Sequence, residues 1–223
     1  MRGKFLIFDI RFSIGAVVAL WMGQAVLAGE AGSRAAERLV DIATVDPGVI
    51  VDLRYATSRN VLGHPIYPAG ARAVVRESVA ERLGVAQAYL RERGYGLKIW
   101  DAFRPAKAQE ALWEFEKSTR YVADPENGHA LHTWGVAVDA TLVDGHGRDV
   151  PMPSDLDTFS GDAALHYHGA DALVHWDLDL LLHAMGAAGF RGMRSEWWHF
   201  VAPDWQDYAP VTEEQAKAFR GKL

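Results

Sequence analysis

Two short stretches concentrate the groups most able to do chemistry. His132-Thr133-Trp134-Gly135-Val136-Ala137-Val138-Asp139 and Glu196-Trp197-Trp198-His199-Phe200 carry two imidazoles and two carboxylates. A catalytic zinc site needs three N or O ligands and one open position for water. His132, Asp139 and His199 supply such a set, for one Zn(2+) per chain, and Glu196 is left to act as general base. The chain has no cysteine, which excludes thiolate ligands, thiol nucleophiles and disulfides. Taken singly, each of these residues reads as a satisfied structural group, and paired tryptophans usually anchor a core. Their joint presence is what points to a metal.

The spacing sets geometric conditions. Residues an odd number apart on a straight strand face opposite ways. His132 and Asp139 therefore share an ion only if the backbone bends between them, and Gly135 is the residue that permits a bend. Glu196 and His199 face the same way on a helical turn or across a kink, but not on a regular strand.

Other candidates are weighed beside these. Arg104 lies in a strand-to-helix loop, where functional groups often sit. It either pairs with Asp101 or offers its guanidinium to an oxyanion. Tyr55 and Asp101 are candidates for substrate binding. His166 and His168 lack a carboxylate partner and read as loop residues. The long segment 149–170 is a candidate lid.

The elements that must position these groups follow from the pattern. A short amphipathic stretch spans Ala35 to Ile42, and Val49 to Tyr55 reads as a strand. Ser78 with Glu81 forms a capping box. The helix it opens carries Val79, Leu83, Ala86 and Leu90 inward and stops at Gly94. Leu97 to Phe103 is a strand. Pro105 opens a helix to about Ser118, with Ala108, Leu112 and Phe115 on one face. Val136 to Leu142 and Glu196 to Val201 are strands, and residues 144–147 a hairpin turn. A helix runs from Asp171 or Trp176 to Ala188, and the tail holds a short polar helix. Without a regular βαβ rhythm, the expected class is α+β: one compact domain with a central, mostly antiparallel sheet flanked by helices.

The chain has 223 residues, 49% hydrophobic and 23% charged, with a formal net charge of −6. That suits a single globular domain and excludes disordered and fibrous classes. No basic stripe appears, so nucleic acid is not an expected partner. Residues 1–28 read as a signal peptide: Arg2, Lys4 and Arg11 precede the apolar run Phe12 to Met22, and Val26-Leu27-Ala28 offers a cleavage site. The run is too short for a confident membrane span. The expectation is export to the periplasm, a mature domain over 29–223, and no membrane contact in the mature form.

Taken together, the two motifs with Asp52-Leu53-Arg54-Tyr55-Ala56-Thr57, Asn60 to Gly63 and Asp101-Ala102-Phe103-Arg104-Pro105 resemble the D-alanyl-D-alanine dipeptidase (VanX-type) family of zinc peptidases, over about residues 45–205. The resemblance implies a small α+β domain that holds one zinc and hydrolyses the D-Ala-D-Ala dipeptide. It implies His132, Asp139 and His199 as ligands, Glu196 as catalytic carboxylate and Arg104 as transition-state arginine. The family's first motif reads SxHxxGxAxD, and Ala130 stands where its serine belongs, which bears on substrate preference. Two rivals stay open: a D,D-carboxypeptidase or peptidoglycan endopeptidase with the same site, and a non-catalytic zinc- or cell-wall-binding module.

Overall fold

A computed structural model describes residue 34 and residues 36–220. The chain divides into a unit 1–36 and a unit 37–223, and both motifs and every strand of the described residues lie in the second. The expected signal peptide lies outside the described residues. No helix of the described residues is long and apolar enough to cross a membrane.

In chain order the elements are β1 (Leu39–Asp41), α1 (Ile42–Val45), β2 (Ile50–Val51), β3 (Val74–Arg76), α2 (Glu77–Arg91), β4 (Tyr95–Asp101), α3 (Ala106–Phe115), β5 (Ala137–Asp144), α4 (Ala172–Ala187), β6 (Arg191–Met193) and β7 (Glu196–Val201). Five strands form one mixed sheet in the order β2-β4-β5-β7-β6. Only the β2–β4 pair is parallel; the rest are antiparallel. β1 and β3 make a separate antiparallel pair. The domain is α+β with a mostly antiparallel sheet, as the mixed pattern predicts.

The core follows the two periodicities. In β5, Val138, Ala140 and Leu142 alternate with Asp139 and Thr141, so one face joins the apolar cluster while the other is free to carry chemistry. α2 buries Val79, Ala80, Leu83, Ala86 and Leu90. It packs against α4 and β4, and α4 also meets β5 and β6. Trp197 and Trp198 are both fully enclosed, so this pair anchors the core as paired tryptophans usually do.

Several local expectations give way to long-range contacts. The Ala35–Ile42 stretch is not a helix. Leu39 to Asp41 pair with Val74 to Arg76 instead, and a single helical turn follows. The strand expected over 49–55 ends at Val51, and Arg54–Ala56 wind into a 3₁₀ turn. No Ser78–Glu81 capping box forms. The helix starts two residues earlier, at Glu77 with Arg76 as its cap residue, the Ser78 N–H donates to the Glu37 carboxylate, and the Ser78 hydroxyl meets Tyr208. A distant carboxylate thus replaces the local cap. Phe115, expected inward, is 53% exposed at the last residue of α3, where the core no longer covers the helix. Gly94 and Gly189 do follow the ends of α2 and α4 with positive φ, where a side chain is strained.

Candidate metal centre and cleft

Each ligand candidate is delivered by a different local device. His132 sits on a 3₁₀ turn, Leu131–Trp134, that ends at Gly135 with φ 72°. Only there does the chain swing from turn to strand, and the bend reconciles the odd spacing of His132 and Asp139. The turn is clamped from below. Arg76, fully buried, donates through Nε to the Trp134 carbonyl at 3.0 Å, and its backbone N–H donates to the Gly135 carbonyl at 3.0 Å. A Cβ on Gly135 would come within 2.8 Å of Leu39 Cδ2. Gly135→Ala should therefore cost about 1–2 kcal/mol from the left-handed backbone alone. The urea midpoint should fall with an unchanged slope, and metal affinity should weaken as the His132 turn shifts. A variant as stable as its parent would contradict the role given to this residue.

Asp139 on β5 pairs directly with His199 on β7. N-terminal to His199, β7 departs from regular geometry. Against β6 it pairs Phe200 with Gly192 but Glu196 with Met193, so extra residues bulge between them. That kink lets Glu196 face the same space as His199, with Oε2 at 4.0 Å from His199 Nδ1.

The donor atoms converge. His132 Nε2 lies 3.1 Å from His199 Nδ1 and 3.3 Å from Asp139 Oδ1, and His199 Nδ1 lies 3.0 Å from Asp139 Oδ1. Four-coordinate zinc with bonds of about 2.0–2.1 Å separates its ligands by roughly 3.3–3.4 Å. The triangle is of that size. Its chemistry fits too. His132 Nδ1 faces the Ala102 carbonyl at 2.7 Å, which places the proton there and turns a lone pair on Nε2 toward the other donors. Three lone-pair-bearing atoms on such close terms call for a cation between them. Among the described residues, this is the one group of three or more His, Asp or Glu side chains so placed. His166 and His168 are not part of it.

The electrostatics of Asp139 and His199 suit metal ligation. Despite burial, the two imidazoles hold Asp139 far below the usual carboxylate range. Burial pushes His199 down, toward the neutral form a metal needs. Burial would also lower His132, but Asp139 outweighs it and holds the ring above its ordinary value. Burial pushes Glu196 well up, and the Asp139 and Asp157 charges add to the rise against Arg104. A carboxyl so raised is a better proton acceptor once ionised.

Arg104 is buried, and neighbours engage its guanidinium. It donates through Nε to Asp101 at 3.0 Å and through one terminal nitrogen to Gln109 Oε1 at 2.9 Å. The other terminal nitrogen lies 2.8 Å from Asp101 and 3.6 Å from Asp139 Oδ2. The ion pair with Asp101 forms, and Arg104 still lines the cleft. Asp101, expected against substrate, is 0% exposed and does not line the cleft. It stands behind, taking the Tyr67 hydroxyl at 2.5 Å and Arg104, with His132 Nδ1 at 3.4 Å. That makes it a positioning residue, because its carboxylate is fully occupied with neighbours.

The cleft measures about 290 Å³. Tyr55 lines it, and its hydroxyl donates to both oxygens of Asp157 at 3.0 Å. Sequence reasoning did not find Asp157. It lies in the 149–170 segment with a left-handed φ of 56°, which aspartate tolerates better than most residues. The segment does not hang free. Arg54 pairs with Asp155, and Trp197 Nε1 donates to Ser154 at 3.0 Å, so this part of the expected lid is tied to the body of the domain and brings Asp157 to the cleft wall. Gln109, which aims Arg104, was also missed. Neither residue belongs to a motif, and only the fold brings them in.

An open ligand triad beside a free carboxyl and a fixed guanidinium, in a cleft of an α+β domain, is the outline of a metallopeptidase. The family model described as D-Ala-D-Ala dipeptidase (Peptidase_M15) matches residues 35–217, and the chain belongs to that family. It is 32% identical over 181 residues to the D-alanyl-D-alanine dipeptidase of Escherichia coli (strain K12), covering 81% of this chain and 92% of the relative. It is 28% identical to that of Enterococcus faecium, covering 70% and 87%. With that of Streptomyces coelicolor it shares 29% identity, covering 72% and 91%.

Proposed function

We propose that this chain hydrolyses the D-Ala-D-Ala dipeptide with one zinc ion held by His132, Asp139 and His199. The observation that carries the reading is the convergence of those three donor atoms beside Glu196 and Arg104. When bound, zinc supplies Lewis acidity: it makes a water acidic enough to be deprotonated near neutral pH, and it polarises the scissile carbonyl. Glu196 receives the proton of the attacking water on its carboxylate and hands it to the leaving amine. Arg104, held rigid by Asp101 and Gln109, stabilises the negative charge that develops on the carbonyl oxygen. Because Asp101 and Gln109 fix the guanidinium beforehand, little reorganisation is needed when that charge appears.

Asp157 takes the substrate's ammonium group. A free dipeptide carries one, and an acylated stem peptide does not. This favours the dipeptidase over the D,D-carboxypeptidase reading. Asp157→Asn is expected to raise KM for D-Ala-D-Ala about tenfold or more through loss of a charge-assisted contact, with a smaller change in kcat. Burial raises the Asp157 carboxyl to about 7. Below that pH it is protonated and attracts the ammonium less, so KM climbs as pH falls through about 7. An α-amino group loses its charge above about 7.7–8.0, which sets the other limb. A KM that is flat across this range and unchanged in the variant would remove Asp157 from the reading.

The deciding experiment is incubation of purified protein with D-Ala-D-Ala and, separately, with an N-acylated stem peptide ending in D-Ala-D-Ala. The dipeptide should be cleaved, a chelator should abolish cleavage, and added zinc should restore it. Comparable cleavage of the acylated peptide would favour the carboxypeptidase. Zinc retained without any hydrolysis would mean a binding module.

A further inference from the structure

The order of strands lays the site out along a line. Asp139 is on β5, His199 on the adjacent β7, and β6 forms the edge beyond. Tyr55 follows β2 at the opposite edge, and Asp157 is bonded to it. On β6, Arg191 pairs directly with Val201. Val201 and His199 are two apart and share a face, and directly opposed residues share a face as well. Arg191 is therefore on the face that carries the ligand triad, one strand spacing of about 4.8 Å from β7. Both Arg191 and Val201 line the cleft.

Arg191 differs from the other cleft arginine. Arg104 has its donors committed to Asp101 and Gln109. Among the described residues, no hydrogen bond or ion pair engages the Arg191 guanidinium, and the residue is exposed. An exposed guanidinium with five donors and no internal partner, on the rim of a cleft, is suited to a planar carboxylate.

We propose that Arg191 is the specificity-determining residue that binds the free C-terminal carboxylate of the substrate. The inference rests on the dipeptidase reading and extends it to the other end of the substrate. A dipeptide spans only about 7 Å. With Asp157 taking the ammonium on the β2 side of the triad, the carboxylate falls on the β6 side, and Arg191 is the cation there. Ala130, also lining the cleft, has no hydroxyl to offer that carboxylate. Arg191 binds without touching the reacting atoms, so its effect is on recognition rather than on the chemical step.

The test compares D-Ala-D-Ala with its C-terminal amide, D-Ala-D-alaninamide, on the zinc-loaded full chain and on R191A and R191K. The parent should prefer the acid. R191A should raise KM for the acid about tenfold or more, leave kcat within about threefold, and leave the amide unchanged, so that discrimination collapses. R191K should recover part of it, because it keeps the charge without the fork. Equilibrium binding of D-Ala-D-Ala to the E196Q protein, with and without R191A, reads the same contact without turnover and should weaken by the same factor. Equal losses on acid and amide, or unchanged acid binding, would overturn the proposal and leave the dipeptidase reading standing. Failure of the parent to cleave D-Ala-D-Ala at all would end both.

Discussion

Glu196→Gln will keep its metal and lose turnover on D-Ala-D-Ala by on the order of 10²-fold or more, the usual contribution of a positioned general base. The substitution is nearly isosteric, and Glu196 is not one of the three donors that converge on one point. The ligand triad therefore survives it. On the proposed mechanism, what disappears is the group that accepts the water's proton, since an amide oxygen is a far weaker base. Glu196 is buried beside Asp139 and Asp157, where both burial and those charges raise its carboxyl above the ordinary range. A bound divalent cation would add positive charge beside it and favour the carboxylate. Metal content by elemental analysis and kcat on the dipeptide check the two halves of the statement separately. Retained metal with near-parental kcat would assign the proton transfer elsewhere. Lost metal would make Glu196 a fourth ligand rather than a base.

His132→Ala should behave in the opposite way and lose the metal itself. His132 supplies Nε2 to the donor triangle and is locked in place by Nδ1 against the Ala102 carbonyl at 2.7 Å. Without it, Asp139 and His199 remain as two ligands, which is fewer than a catalytic zinc site uses. Turnover should fall about 10³-fold or more, because removing a Lewis acid forfeits several kcal/mol of charge stabilisation and each 1.36 kcal/mol is a factor of about ten. The Ala102 carbonyl also loses its partner, at a further cost of about 1–3 kcal/mol in stability. Dialysed variant protein should carry no stoichiometric zinc, and zinc should raise the unfolding temperature of the parent but not of the variant. Stoichiometric zinc with high turnover would remove His132 from the ligand set. Comparing the two variants separates base from ligand: one loses chemistry with the ion in place, the other loses the ion.

The contrast between these residues and their supports shows what the amino-acid sequence by itself determined. His132, Asp139, His199 and Glu196 were legible because their side-chain chemistry is restrictive and their spacing made demands that few backbones meet. Gly135 was legible for the same reason: an odd separation that must share one ion needs a bend, and a residue without Cβ supplies it. The mixed α+β class came from local periodicity, as did α2, α3, α4, β5 and β7. Tertiary structure decided everything that depended on distant partners. A capping box at Ser78 lost to Glu37, 41 residues away, because a carboxylate brought in by β1–β3 pairing satisfies the same N–H. Asp101 lies behind Arg104, where the Tyr67 hydroxyl and the Arg104 guanidinium satisfy its buried carboxylate. Asp157 and Gln109 entered the site from loops and helices that carry no motif. Arg191 reached it through the pairing of β6 with β7. Local spacing encodes which atoms can bind a metal and how the chain turns near them. The second layer, which aims the Arg104 guanidinium and lines the cleft with Asp157 and Arg191, is set by contacts between segments far apart in the chain, and no short-range pattern records those.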